Sequence, residues 1–142
     1  ESNGDTALHR AVEKEDVKKV KRLLRSWFIN VNVGDRYGDT PLIYAVGKAN
    51  EEIVKLLINH PFTNLNAQDK GGDTALIYAV SANNLKMVTL LTNCPSIDLF
   101  VRNNKSEDAL SMAKGFIKEH ILWKMRQKIE PKEKGMRRVA KA

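Results

Sequence analysis

GDTALIYAV, residues 72–80, stands 34 positions after GDTPLIYAV, residues 38–46. The same register returns as GDTALHRAV at 4–12 and, more loosely, as SEDALSMAK at 106–114. A period of this length is the mark of a stacked array, in which each unit buries its apolar face on its neighbours. Leu42, Ala45 and Val46, like Leu76, Ala79 and Val80, are spaced to share one helix face. The small Ala45 and Ala79 let a neighbouring helix approach closely.

Thr6, Thr40, Thr74 and Asp108 precede these faces and carry side-chain oxygens suited to helix N-caps. Pro41 fits the first helical position, where its missing N–H costs nothing. Asp16, Asn50 and Asn84 then open a second helix. Its inner face is Val20 and Leu23, then Ile53, Val54 and Leu57, then Met87, Val88 and Leu91, and finally Ile121, Leu122 and Met125. Pro61 and Pro95 end the pairs. Extended segments through Val31, Leu65 and Leu99 lead into polar turns at Asp35, Asp69 and Asn103, with Gly38 and Gly72 supplying a positive φ.

Helix, helix and projecting hairpin on this period, with GDTPL and GDTAL openings, resemble the ankyrin-repeat family from about Asn3 to Arg126. The resemblance implies an all-α solenoid of helix-turn-helix pairs with projecting hairpin loops. The ankyrin domain is expected over 1–127, with repeats at about 1–34, 35–68, 69–102 and 103–127, and a basic extension over 128–142. The chain departs from the family at several points. The usual His survives only as His9, replaced by Ile43, Ile77 and Ser111. The usual inter-helix Gly is Glu15, Ala49, Asn83 and Ile117, and the hairpin Asn of Asn32 and Asn66 is Phe100 in the third repeat.

The 142 residues suit one domain, and 42% hydrophobic with 29% charged residues is a globular composition. No apolar run is long enough to span a bilayer, and ESNGDT lacks the apolar region of a signal peptide. One cysteine, Cys94, excludes an internal disulfide framework and fits a reducing compartment. A soluble, intracellular protein, cytoplasmic or nuclear, is expected, and a monomer. The first residue is Glu1 rather than Met, which leaves a larger parent protein open.

Residues 1–101 balance 12 basic against 12 acidic residues, so the net charge of +7 arises from 102–142, with 12 against 5. Lys128, Lys132, Lys134, Arg137, Arg138 and Lys141 make the end of the chain a candidate for steering acidic partners or nucleic acid. Pro131 and Gly135 predict an interrupted helix there. Another basic run, Lys18, Lys19, Lys21, Arg22 and Arg25, reads as a solvated helix face. Trp27 and Phe28 follow it and are expected to pack beneath the first hairpin, with an exposed anchor as the alternative. The column Arg22–Leu56–Leu90–Lys124 turns polar at both ends, and Val12–Val46–Val80–Lys114 at its last member, as outer units of a stack require.

No catalytic residues emerge. His9, His60 and His120 occupy unrelated columns, no zinc-ligand spacing occurs, and no phosphate-binding glycine loop is present. Asp39 and Asp73 recur at the repeat period, as structural or surface positions do, rather than as an acid/base couple. No metal, cofactor or enzyme activity is expected.

Arg10, Tyr44, Tyr78 and Met112 form one column on the first helices, where the resemblance implies a concave binding side. Tyrosine offers rigid contact area and a hydroxyl, which favours it at protein interfaces. The family's usual contact positions fall on Arg36, Tyr37, Asp39 and Lys48, and on Lys70, Asp73, Ser81 and Ala82. Their mixed charge suits a protein partner better than a phosphate backbone. The expected function is therefore a non-catalytic protein–protein interaction module. The alternatives are anion binding by the basic C-terminal end, or a regulatory or targeting domain of a larger enzyme.

Overall fold

In the computed structural model, residues 6–141 are described, with side chains through Ile129. Among the described residues eight helices follow in pairs: α1 (Ala7–Glu13) with α2 (Val17–Leu24), α3 (Pro41–Lys48) with α4 (Glu51–Ile58), α5 (Ala75–Ser81) with α6 (Leu85–Thr92), and α7 (Ala109–Met112) with α8 (Gly115–Lys141). First helices stack in the order α1, α3, α5, α7, and second helices in the order α2, α4, α6, α8.

Every cap expected from the sequence is made. The Thr40 hydroxyl accepts from Ile43 N at 3.3 Å and that of Thr74 from Ile77 N at 3.2 Å, while Asp108 accepts from Ser111 N at 2.8 Å. Asp16, Asn50 and Asn84 cap the second helices in the same way at 3.1, 3.0 and 3.2 Å. These bonds place short helices at fixed points along the chain, and packing then holds them. Leu8, Leu42 and Leu76 from the first helices meet Val20, Ile53, Leu57, Met87 and Leu91 from the second in one continuous core.

The link between helices needs a left-handed residue, and Glu15, Ala49 and Asn83 supply it at φ of 54°, 56° and 54°. A side chain resists this conformation and glycine does not. Ala49→Gly should therefore raise the unfolding free energy by about 0.5–1 kcal/mol, read from denaturant midpoints. An unchanged or lower midpoint would show that the left-handed site carries no strain.

The hairpins are held by side-chain turns. Asp35 Oδ1 accepts from Tyr37 N and Asp39 N, Asp69 Oδ1 from Asp73 N, and Asn103 Oδ1 from Lys105 N and Glu107 N, all between 2.9 and 3.0 Å. Adjacent hairpins pair through Lys70 N to Tyr37 O at 3.0 Å and Asn104 N to Gly71 O at 2.9 Å.

The fourth repeat departs from expectation. Helix α7 has only four residues, and Gly115, at φ 53°, makes the left-handed link two positions before Ile117. Ile117 instead enters the core beside Ile121, while Leu122, expected on the inner face, lies exposed. Helix α8 also runs unbroken through Pro131 and Gly135. A proline removes one amide donor and crowds one carbonyl, a local cost that this 27-residue helix carries. Lys128 Nζ donates to Ile97 O, which ties this part of the helix to the third repeat. Gly4 and Asp5, and the side chains of Lys132, Lys134, Arg137, Arg138 and Lys141, lie outside the described residues.

Trp27 and Phe28 do not pack beneath the first hairpin: each is 97% exposed. The residues that enter the core from the segments before the hairpins are instead Val31, Leu65 and Leu99.

Candidate functional site

Stacking α3 against α5 opens a cleft of about 340 Å³ lined by Asp39, Ile43, Tyr44, Gly47, Lys48 and Tyr78. The next repeat forms a second cleft of about 400 Å³ in which Asp73, Tyr78, Ser81 and Met112 meet Asn103, Lys105 and Glu107. Tyr78 borders both, so the column forms one continuous lining across two repeat seams. Arg36, Tyr37 and Lys70 stand exposed on the hairpin tips, where the Arg36 guanidinium lies 4.7 Å over the Tyr37 ring and donates to its hydroxyl. Ala82 is the exposed C-cap of α5, outside both sets of lining residues. Arg10 is half-buried on α1, one repeat before Tyr44.

The tyrosines are fixed differently. Tyr44 packs edge-on to His9, ring centroids 5.6 Å apart. Thr6 N donates to His9 Nδ1 at 3.3 Å, which makes Nδ1 an acceptor and leaves Nε2 to donate to Asp39 O at 2.7 Å. His9 thus joins the first helix cap to the second hairpin. Tyr78 donates its hydroxyl to Asp69 Oδ2. Burial, this hydrogen bond, and the charges of Asp39, Asp69 and Asp73 hold Tyr78 above its ordinary range, so the phenol remains a donor.

Asp69, singled out in the sequence only as a turn residue, is therefore the group that fixes the Tyr78 hydroxyl beside the cleft. Burial first, then a hydrogen bond to Asp69 and the charges of Asp35, Asp69 and Asp73, push the Asp39 carboxyl up to about 6. Its Oδ1 is buried without a hydrogen-bond partner. The folded state thus holds this proton more tightly than the unfolded chain does. The contribution of Asp39 to stability is greatest below the ordinary aspartate range, falls as pH rises from about 4 through about 6, and is level above. Asp39→Asn should flatten that decline in melting temperature and raise stability at neutral pH. A decline identical to wild type would place its source elsewhere.

Among the described residues no group of three His, Cys, Asp or Glu side chains could hold a metal ion. Cys94 accepts no activating neighbour: burial pushes its thiol up, and its sulfur donates to Leu90 O at 3.5 Å. No helix among the described residues is long and apolar enough to cross a membrane.

Paired short helices stacked in two rows, with side-chain-locked hairpins at one end of each pair and an aromatic cleft along the first row, define a helical-repeat scaffold. The chain belongs to the ankyrin-repeat family: a family model described as ankyrin repeats (3 copies) matches residues 8–104. Ankyrin repeats are generally protein–protein interaction modules, and theirs is a known non-enzymatic interaction fold. Among solved structures, the chain is similar to the ankyrin repeat domain of Bcl-3, described as a unique member of the IkappaB protein family. The two share 32% identity and a TM-score of 0.77 over 84% of this chain. The match spans 51% of that chain, about half its length. A search of curated proteins returns no match.

Proposed function

We propose that this chain is a non-catalytic module that holds a partner protein against the cleft between α3 and α5 and the adjoining hairpin tips. The observation that carries the reading is the cleft itself. Two tyrosines, Asp39 and Lys48 converge there, offering apolar area and charges of both signs to one incoming surface. A phosphate backbone would meet Asp39, Asp69 and Asp73 and be repelled. The binding unit so proposed is residues 1–127, acting as a monomer in an intracellular compartment, with the basic segment 128–142 outside it. The free Cys94 supports a reducing compartment.

Tyr44→Ala tests the reading. Partner protein captured by the wild-type chain should bind the variant at least about tenfold more weakly, as loss of an interface tyrosine predicts, while the melting profile stays cooperative. Undiminished binding would remove Tyr44 from the interface.

A further inference from the structure

Three equivalent turns follow the second helices of the first three repeats. Ser26–Ile29, His60–Thr63 and Cys94–Ile97 are each closed by the last residue's N–H donating to the first residue's carbonyl, at 3.4, 3.2 and 3.1 Å. Their central positions hold Trp27 and Phe28, then Pro61 and Phe62, then Pro95 and Ser96. The turns stand side by side because Asn32 clamps the first to the second. Its Nδ2 donates to Phe62 O at 2.8 Å, and its Oδ1 accepts from Asn64 N at 2.7 Å. Asn66 repeats the clamp one unit on, with Ser96 O at 3.0 Å and Asp98 N at 2.7 Å. The first two turns thus put three large apolar side chains on one edge: Phe62 is 77% exposed, and Trp27 and Phe28 are almost bare.

The helix leading into that edge is basic. At about 3.6 residues per turn, Lys18, Lys21, Arg22 and Arg25 fall on the side of α2 opposite the buried Val20, and all four are exposed. Glu52 lies 3.8 Å from Lys21, and Asp16 is committed to capping α2. Between α2 and α4 a notch of about 470 Å³ has Leu24, Leu56 and Pro61 inside a rim that includes Lys21, Arg25 and His60.

We propose that this edge docks on the surface of an anionic lipid bilayer, with Trp27, Phe28 and Phe62 entering the interfacial layer and the basic stripe of α2 lying over the headgroups. Apolar aromatics beside Lys and Arg are the pairing that interfacial binding uses, one gaining from burial and the other from the negative surface potential. The rings sit on turn tips as knobs, Trp27 and Phe28 almost bare and Phe62 leaning on the His60 ring with centroids 5.9 Å apart, which suits insertion into a fluid layer. Single-stranded nucleic acid is instead held along a groove lined by stacking platforms. A second copy of this edge would bring the same basic stripe against itself.

The test uses the full chain carrying Trp123→Phe, so that Trp27 is the sole indole. It is mixed with phosphatidylcholine vesicles, with vesicles containing about one-third phosphatidylserine, and with a single-stranded oligonucleotide. Expected are co-sedimentation with the anionic vesicles alone, a blue shift of Trp27 emission on binding, and a loss of at least about tenfold in Trp27→Ala/Phe28→Ala. Lys18→Glu should weaken vesicle binding about fivefold or more at low salt. Both sets of substitutions are at exposed positions, and an unchanged melting profile confirms that the body is intact. Absence of anionic-vesicle binding would overturn the proposal. So would binding without a shift in Trp27 emission, or oligonucleotide binding that displaces the vesicles.

Discussion

Gly72→Ala should lower the unfolding free energy by about 2–4 kcal/mol, combining the left-handed penalty with an overpacking cost. Gly72 sits at φ 83°, and a Cβ there would meet Asn104 N and Asn104 Oδ1 at 2.7 Å and Asn103 Cα at 2.9 Å. Two of these atoms are backbone of the next hairpin, pinned by Asn104 N to Gly71 O, so they cannot yield without breaking the pairing between repeats. Gly38, at φ 79° with Lys70 N at 2.8 Å from the same added atom, should respond alike. Urea unfolding followed by circular dichroism measures the loss. A change under about 0.5 kcal/mol, the range of an ordinary surface substitution, would mean the hairpin contacts are loose.

What could be read from the sequence was what local chemistry determines. Thr40, Asn50, Thr74 and Asn84 cap their helices through side chains acting three residues away, so their types and spacing were enough. The turns at Asp35, Asp69 and Asn103 were legible for the same reason. Of the cleft, the shared column of Tyr44 and Tyr78 was visible from the period. The approach of Asp39 to Asp69, 30 residues apart, depends on how one hairpin leans on the next, and no single repeat records that. Tyr78 bonding to Asp69 lies within one repeat, nine residues apart, and was hidden because it depends on how the side chain reaches back over the turn, which spacing alone does not record.

The misreadings also have physical causes. Trp27 and Phe28 were placed inside because large aromatics usually gain from burial, yet they stand at the centre of the closed Ser26–Ile29 turn, and Val31 is the residue of that segment that enters the core. In the fourth repeat, alignment by period put the helix link at Ile117, but Gly115 reaches the left-handed conformation without a side-chain penalty and starts α8 early. That shift carries Ile117 and Ile121 into the core, where the last repeat closes the stack.

The closing role of the last repeat gives the second large effect. Helix α8 packs on α6, burying Ile121 completely and joining His120 Nε2 to Thr92 Oγ1 at 2.8 Å and Lys124 Nζ to Asn93 Oδ1 at 2.6 Å. A chain ended at residue 103 should expose Met87, Leu91 and the half-buried Leu90, melt over a broader range and aggregate. In the intact chain, Ile121→Ala should cost about 2–5 kcal/mol for the lost transfer energy and the cavity left behind. An equally sharp melt and equal solubility for the shortened chain would show that three repeats suffice.

The central claim is that a partner protein lies across the α3–α5 cleft, and amide hydrogen exchange of the complex tests it most directly. With partner protein bound, protection should rise in the hairpin segments 35–39 and 69–73 and toward the C-terminal ends of α3 and α5, around Lys48 and Ser81. The outer helices α2 and α4 should exchange as in the free chain. Protection confined to α2, α4 or α8, with the cleft segments unchanged, would contradict the account.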